Sequence, residues 1–524
     1  MGTITHKDAA DMAIADQVSA AEWKASTTHL DSQGNDLELS RSATLVVAAN
    51  NASAKSIAGA DYVCDGTADD VQIQAAIDAL PAGGGKVVLS EGTFSCTTAL
   101  SIQKSDVLIE GMGKATKVDL ASIAIDGFVF GDGATAITRS GISYLRVTSS
   151  VVKNAGTAIR FRKVTIGYAT NFYLDKQFVG VGVESDCIII RISNFEIIDS
   201  VATTGVGIRI ISGTAAKNVD TYISNGNISA PLGSEPLIGI RVQNAGGVYL
   251  SDLDITFQQY GILVDPSGTN DYVEALFASQ VLVDTCTING FSVNPSAGKT
   301  AREFYLTNCW ASTNLVGVYI GESQTGTIDS VWLRGLTAVN NQNQGVVFNY
   351  GTNLFVSDSD ISGNSKAAAN TSDGFVVASD ISEWGIQSSR LGNHVVGAGT
   401  QRYGIFVISG ASNNYSIQSN DLRGNGTGAL SDGGTGTTKI VRNNLGYVTE
   451  NSGTATVANG QTTVTVTHGL ATTPTRVQVT PTLLSNAASF WVTAKGTTTF
   501  VINVNADPGA GTATFDWRAQ VGEG

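Results

Sequence analysis

The chain has 524 residues, of which 42% are hydrophobic and only 15% are charged, and its formal net charge is −14. Disordered chains combine high charge with few large apolar residues, so this composition excludes disorder. The negative charge also disfavours a nucleic-acid partner, and no apolar run reaches the ~20 residues of a membrane span. We therefore expect neither nucleic acid nor membrane as a partner.

The N-terminal segment and the cysteines bear on targeting and on redox state. Residues 1–50 form a polar leading segment with a weak helical period near residues 9–24. This segment lacks the cationic start and the apolar core of a secretory signal peptide. The five cysteines are odd in number and lie outside CxxC pairs, which predicts buried free thiols and no metal site. We expect no cofactor.

Residues 51–85 contain a predicted helix. Asp69 and Asp70 precede apolar residues at helical spacing, and Pro81 followed by a run of glycines ends the pattern. This region resembles the opening of pectate-lyase-like right-handed β-helix proteins, which reads D-G-x-x-D-D, a short helix, and then a G-G-G strand motif. The matching residues are Asp65-Gly66, Asp69-Asp70, Gly83–Gly85 and Glu91–Phe94. The resemblance implies that the helix caps the N-terminal end of a β-coil, where apolar side chains and strand edges need cover.

Residues 86–448 carry an imperfect repeat of short apolar segments separated by Gly, Asn, Asp and Ser. The residue that opens each segment recurs every 23 to 33 positions, and most units add a second strand of the form Gly-apolar-x-apolar. The aligned opening residues are Ile192, Ile223, Leu250, Val283, Leu306, Leu333, Val356, Ile386 and Ile417. Such a period predicts a solenoid, and because each period holds only short strands we predict an all-β, right-handed, single-stranded parallel β-helix. A propeller, with longer strands and a longer period, fits less well.

Residues 449–524 alternate Thr and Val, which predicts an antiparallel, β-sandwich-like domain with one face of each sheet buried. Val466–Pro481 and Phe490–Ala519 resemble a C-terminal β domain of phage tail fibres and tailspikes, and Ser19–His29 resembles N-terminal segments of phage tail proteins. The resemblance to tailspikes implies a homotrimer in the virion tail that folds in the host cytoplasm. It also implies an attachment end, a β-helix facing a cell-surface or extracellular polysaccharide, and a C-terminal domain for trimerisation or glycan binding.

The repeat also predicts which side chains face solvent. If the aligned residue and the third and fifth residues after it line the core, the second and fourth face outward. These outward positions hold acids, amides and one tryptophan, a mixture that suits carbohydrate because hydroxyls need polar partners and the apolar sugar face stacks on aromatic rings. The predicted substrate-binding residues are Trp310, Asn308, Asn227 and Arg390.

Glycoside hydrolysis needs two carboxyl groups, one to protonate the leaving oxygen and one to act as base or nucleophile. Two pairs of outward acids lie two residues apart on a predicted strand, and a further acid lies about two coils before the first pair. The predicted catalytic residues are Asp252 with Asp254, Asp358 with Asp360, and Glu196. Trp310 is expected about two coils from each pair. Paired acids also occur on a merely solvated surface, so a non-catalytic receptor-binding fibre stays open as an alternative.

A third hypothesis is that the protein is a uronate lyase or epimerase. It would need a base that removes the proton beside the uronate carboxylate and a cation that stabilises the enolate. His394, Arg390 and Arg402 form the basic set that suits this chemistry.

The second strand of the repeat predicts an interface. Its outward middle positions become apolar in the C-terminal half of the coil, at Tyr319, Val347, Val376 and Phe406. An exposed apolar stripe usually marks a protein interface, so we expect three coils to pack side by side here, unless a loop covers the stripe.

Overall fold

The computed structural model describes residues 43–211, 217–392 and 400–521, together with two short antiparallel strands, His29–Leu30 and Asp36–Leu37. Other predictions for the leading segment, and those for His394, lie outside the described residues. The chain divides into two compact units, residues 1–44 and residues 45–524. In the described part of the chain, no helix is long and apolar enough to cross a membrane.

The second unit winds its strands into a coil. Sheet A has 13 strands and sheet B has 21, and neighbouring strands within each sheet run parallel. The strands of sheet A are Leu100–Ile102, Phe128–Phe130, Thr157–Arg162, Val179–Glu184, Val206–Ile211, Ile238–Val242, Tyr260–Val264, Asn289–Val293, Val316–Ile320, Val346–Phe348, Phe375–Val377, Tyr403–Gly410 and Gly428–Gly434. The predicted right-handed parallel β-helix is confirmed.

Sheet B contains the remaining strands of the coil. Many of them run from one side of the coil around a bend to the next side. The strands of sheet B are Thr44–Ala48, Tyr62–Val63, Gly85–Leu89, Gly92–Cys96, Val107–Glu110, Thr116–Leu120, Ile137–Ser143, Arg146–Thr148, Val164–Asp175, Ile188–Ile198, Asn218–Ser229, Ala245–Thr256, Val273–Asp284, Thr300–Thr307, Trp310–Ser312, Thr327–Arg334, Thr337–Val339, Thr352–Ser357, Trp384–Gln387, Tyr415–Gln418 and Lys439–Arg442.

The C-terminal region forms two three-stranded antiparallel sheets, as the alternating sequence predicted. Their apolar faces enclose a core of their own that includes Phe500, Phe515 and Trp517. The strands are Glu450–Val457, Arg476–Leu483 and Ala513–Gln520 in one sheet, and Thr463–Thr467, Phe490–Thr493 and Thr499–Val504 in the other.

The predicted helix is present at Asp70–Ala79, after a shorter helix at Ala54–Ala58 and before a 3-10 turn at Gly113–Ala115. Its two leading acids are buried because they anchor the neighbouring strand. Asp69 accepts hydrogen bonds from the backbone N–H groups of Gly66 (2.8 Å) and Ser95 (2.7 Å). The prediction that this helix caps the coil stays a prediction. All five cysteines are buried and free, as expected.

Glu91 ties the short helix to the first strands and gives a pH dependence. Its carboxylate accepts hydrogen bonds from the backbone N–H of Ser53 (2.8 Å) and from Ser56 Oγ (2.9 Å). These bonds, the Ser53 backbone bond first, lower the pKa of Glu91 from 4.5 to about 2. A folded-state pKa below the unfolded one gives stabilisation that is complete above pH 4.5 and lost as the pH falls towards 2.

We therefore expect Glu91→Gln to remove part of the acid destabilisation of the protein. Urea unfolding of the native chain should lose stability between pH 4.5 and pH 2, and the variant should lose less over the same interval. Equal losses in the two proteins would show that Glu91 does not contribute to the acid transition.

Gly226 leaves room for a stacked pair of rings at the inner side of the bend. Phe172 stacks on Phe195 with ring centroids 5.5 Å apart. A Cβ at Gly226 would lie 2.1 Å from the Phe195 ring. We expect Gly226→Ala to destabilise the coil by about 1–3 kcal/mol, because overpacking forces the ring out of place.

Gly246 provides the matched control, since a Cβ there would meet only Lys217 Cδ, at 3.4 Å. Thermal unfolding should leave Gly246→Ala near the native midpoint. A Gly226→Ala variant as stable as Gly246→Ala would contradict the packing argument.

The predicted apolar stripe on sheet A is not a broad exposed surface. Val347 and Val376 are only 6% and 8% exposed, and with Val316 they form a small cluster against which Tyr319 and Phe406 pack. The expectation of an exposed stripe is therefore wrong at its centre, because neighbouring side chains of the same chain cover it. The homotrimer stays a prediction that rests on the tailspike resemblance.

Candidate functional site

The strand register confirms eight of the nine aligned positions and corrects one. Leu250 pairs with Ala278, which pairs with Leu306, so Ala278 is the aligned residue of that coil. Val283 lies five residues later and pairs with Ile255. The sequence favoured Val283 because valine is more apolar than alanine. The outward residues of this coil are therefore Gln280 and Leu282, the second and fourth residues after Ala278. The alignment on Val283 had predicted Thr285 and Thr287 instead.

Fourth-position residues form one continuous column along sheet B, which we call the acid column. Its members pair in register from coil to coil. They are Glu196, Asn227, Asp254, Leu282, Trp310, Thr337, Asp360, Arg390 and Asp421. Trp310 lies two coils from Asp254 and two from Asp360, as expected, and the side chain of Trp310 is exposed. The structure thus brings six of the predicted site residues into line.

Second-position residues occupy the bend of each coil. Asp252, Asn308 and Asp358 have φ of 54°, 53° and 53°, the left-handed conformation that Asn and Asp tolerate best. Asp252 and Asp254 lie on one strand, Ala245–Thr256, as predicted, but Asp252 lies in the bend of that strand. Asp358 and Asp360 follow the end of the strand Thr352–Ser357, so the prediction that this second pair lies on a strand is wrong. Their catalytic roles stay predictions.

Three of the predicted acids are held in ion pairs. Glu196 contacts Lys114 Nζ at 2.9 Å, and Asp358 lies 3.6 Å from Arg334 Nε. Asp360 pairs with Arg390, which places this predicted binding residue beside a predicted catalytic one.

The predicted basic set for a lyase is split between the two sheets. Arg390 stands in the acid column of sheet B. Arg402 precedes the sheet A strand Tyr403–Gly410 and forms a two-point ion pair with Asp373, at 2.9 and 2.7 Å. The third member, His394, is outside the described residues.

The surroundings of Asp254 shift the pKa of its carboxyl group. Partial desolvation and the charge of Asp284 both raise the pKa of Asp254. Asp284 belongs to the next coil, in register with Thr256 two residues beyond Asp254. Sequence reasoning missed Asp284 because the misplaced Val283 hid its position. With Ala278 aligned, Asp284 is the sixth residue after the aligned residue.

A second feature missed from the sequence is a column of six outward aromatic rings, which we call the aromatic column. Each ring belongs to the residue just before an aligned residue, a position that would have shown the pattern. The residues are Tyr222, Tyr249, Phe277, Tyr305, Trp332 and Phe355. Ring centroids of stacked neighbours lie 4.7, 5.3 and 5.1 Å apart over the first four residues, and 4.7 Å apart for the last two.

Two grooves follow these columns in the C-terminal half of the coil. The first groove has a volume of about 640 Å³ and contains Trp332, Arg334, Phe355 and Gln387 in its lining. The second has a volume of about 690 Å³ and runs along the acid column past Asp360 and Arg390. Asp358 lines both grooves, so they meet at the bend. Among the described residues, no group of three or more His, Cys, Asp or Glu side chains could hold a metal ion.

The family model that matches is described as periplasmic copper-binding protein (NosD), and it matches residues 212–380, about a third of the chain. No curated protein sequence matches. Among solved structures, a mutant tailspike protein of the E. coli bacteriophage HK620 is 11% identical with a TM-score of 0.52, over 86% of this chain and 89% of that chain. This similarity supports the parallel β-helix fold.

Two further solved structures illustrate the range of similar proteins. The A-module of the Azotobacter vinelandii mannuronan C-5 epimerase AlgE4 is 16% identical with a TM-score of 0.47, over 72% of this chain and 97% of that chain. The tailspike protein gp49 of Pseudomonas phage LKA1 is 13% identical with a TM-score of 0.49, over 86% of this chain and 92% of that chain.

Proposed function

We propose that the chain is a tailspike-like, polysaccharide-binding protein that cleaves its ligand by glycoside hydrolysis. The observation that carries the proposal is the pair of grooves along sheet B. In the first groove aromatic rings, of which Trp332 is exposed, lie beside guanidinium, carboxylate and amide groups, and the second groove continues along Asp360 and Arg390. This combination satisfies both the apolar faces and the hydroxyl groups of sugars. The grooves follow the coil axis, so an extended chain of sugars can cross several coils.

The resemblance of both chain ends to phage tail proteins supports the wider part of the proposal. A tailspike-like protein would be a homotrimeric component of the virion tail whose β-helix meets a cell-surface or extracellular polysaccharide. Light scattering tests the assembly separately. A trimer is expected at micromolar concentration, and a monomer would remove this part of the proposal.

For the hydrolytic step we propose Asp254 as the general acid and Asp284 as the second carboxyl group, which acts as a base on water or as the nucleophile. Glycosidases need one carboxyl group that keeps its proton and a second that does not. The raised pKa of Asp254 supports the first role. One coil and two residues separate these acids, roughly 8 Å between Cα atoms from strand geometry. Both act without a metal or cofactor in this scheme.

Binding without cleavage is the second candidate. It is favoured by the ion pairs that engage Glu196, Asp358 and Asp360, because a carboxylate already in contact with a cation is less free to contact the reacting atoms of a sugar. Size-exclusion chromatography of bacterial surface polysaccharides incubated with the protein separates the candidates. Shortened chains are expected. Polysaccharide that co-elutes with the protein at its original length would support the fibre reading, and a panel without binding or shortening would overturn both.

A further inference from the structure

The aromatic column ends at a glycine, and this ending exposes the face of a ring. Tyr249 is covered on both faces, since it stacks against Tyr222 on one side and against Phe277 on the other. Phe355 stacks on Trp332 on one side only. The residue in register with Phe355 on the following coil is Gly385, which has no side chain to cover the other face.

The opposite end of the column has no such opening. The first ring, Tyr222, has its outer face covered by the Arg191 guanidinium, 5.4 Å from the ring centroid. At the Phe355 end, both Phe355 and Gly385 line the 640 Å³ groove. An aromatic face that opens into a groove is therefore found at the C-terminal end of the column.

Polar groups surround this open face. Gln387 lies on the same coil as Gly385, and Ser416 lies on the next coil, in register with Gly385. Both residues line the groove. Arg334 and Asp358 line its other side, with side chains 74% and 55% exposed. Both side chains therefore have donor and acceptor atoms directed to solvent, where ring hydroxyls can replace water.

We propose that the open face of Phe355 is a sugar subsite, in which one pyranose ring of a neutral polysaccharide occupies the gap left by Gly385. This subsite rests on the proposed function and specifies its ligand. The sugar's apolar face stacks on the ring, while its hydroxyls contact Arg334, Asp358 and Gln387. Phe355 and Ser416 bound the gap, since a Cβ on Gly385 would lie 3.3 Å from Phe355 Cδ1 and 2.8 Å from Ser416 Oγ.

The charges of the groove determine the ligand class. Its charged lining residues are one cation, Arg334, and one anion, Asp358, which lie 3.6 Å apart and cancel. The whole chain carries a net charge of −14, so an acidic polysaccharide would approach a protein of its own sign. A neutral sugar is not repelled by the net charge of the chain and needs no unpaired cation in the groove.

Two alanine variants with the same chemical change test the subsite. Phe355→Ala removes the open face, and Tyr249→Ala removes a ring whose two faces are both covered. The probes are dextran, mannan and chitin oligosaccharides as neutral ligands, and polygalacturonate, alginate and hyaluronate as acidic ones. Binding is followed by tryptophan fluorescence, because Trp332 lines the groove. We expect about tenfold weaker binding of the neutral ligand by Phe355→Ala and a change within about twofold for Tyr249→Ala.

Gly385→Tyr provides an independent block of the gap. The Ser416 side chain, whose Oγ lies 2.8 Å from the new Cβ position, has to rotate, after which the added ring covers Phe355. Thermal unfolding establishes that the variant is folded, and binding should be lost.

The outcomes separate the subsite from the proposed function. Equal losses in Phe355→Ala and Tyr249→Ala, or binding of acidic probes alone, would overturn the subsite while polysaccharide binding stands. Binding of none of the probes by the native chain would overturn the subsite's neutral ligand class; the surface-polysaccharide experiment then decides the proposed function.

Discussion

Replacing Asp254 with Asn should lower depolymerisation by about 10²–10⁴-fold while the thermal midpoint stays near that of the native protein. The amide cannot protonate a leaving oxygen, and Asp254 is exposed at the surface of the coil, so its loss removes no core contact. Binding should persist, because the residues that line the two grooves are unchanged. Initial rates of reducing-end release, measured beside fluorescence titrations, check the separation.

Asp252→Asn decides whether Asp284 or the sequence-predicted Asp252 is the partner of Asp254, because Asp252 lies in the bend two residues before Asp254. We expect it to retain most of the activity. A full loss in Asp252→Asn with an active Asp254→Asn would contradict the assignment of the acid.

The pH profile offers a second test of the same pair. A general acid must keep its proton, so the alkaline limb of activity follows the raised pKa of Asp254. Since Asp284 contributes to that rise, Asp284→Asn should move the alkaline limb of any residual activity to lower pH. An unmoved limb would show that Asp284 does not act on Asp254.

Asn341→Ala should lower the free energy of unfolding by about 2–4 kcal/mol, the largest stability effect that we expect from replacing a buried polar side chain. Asn341 is fully buried in a ladder of amide side chains that runs from coil to coil. Its Oδ1 accepts the backbone N–H of Asn314 at 3.0 Å, and its Nδ2 donates to Ala311 O at 3.1 Å and to Asn364 Oδ1 at 2.9 Å. Truncation leaves these buried partners unsatisfied, which costs more than the bonds contribute.

Asn349→Ala serves as the control for the ladder. Asn349 makes one side-chain bond, to Gly321 O at 2.9 Å, at a partly buried position. Urea unfolding should show a loss of about 1 kcal/mol or less for this variant. Equal destabilisation by both substitutions would contradict a special role for the buried ladder.

The β-helix could be predicted from the sequence because each coil places an apolar side chain at the same core-facing position. Leu250 and Leu306 stack in register, and their apolar side chains mark the strand. The prediction failed at Ala278, where a small residue fills the core position and Val283 imitates it five residues later. This one misaligned residue hid the outward position of Asp284, while the aligned residues of the other coils were predicted correctly.

The candidate site was only partly predictable. Its column of acids and Trp310 follow from strand alternation, which a sequence carries. The ion pairs do not: Lys114 reaches Glu196 across 82 residues of sequence, a contact set by side-chain reach over several coils. The bend at Asp252 also changes the direction of alternate side chains, so a single periodicity cannot describe both sides of it.

Analysis of the reaction products distinguishes hydrolysis of a polysaccharide from elimination and from binding alone. The native protein is incubated with neutral and acidic polysaccharides, and new reducing ends are counted while the absorbance of unsaturated uronates is recorded. We expect new reducing ends from a neutral polysaccharide without unsaturated product. Unsaturated uronates would instead establish elimination, and an absence of any product from a polysaccharide that the protein binds would contradict hydrolysis.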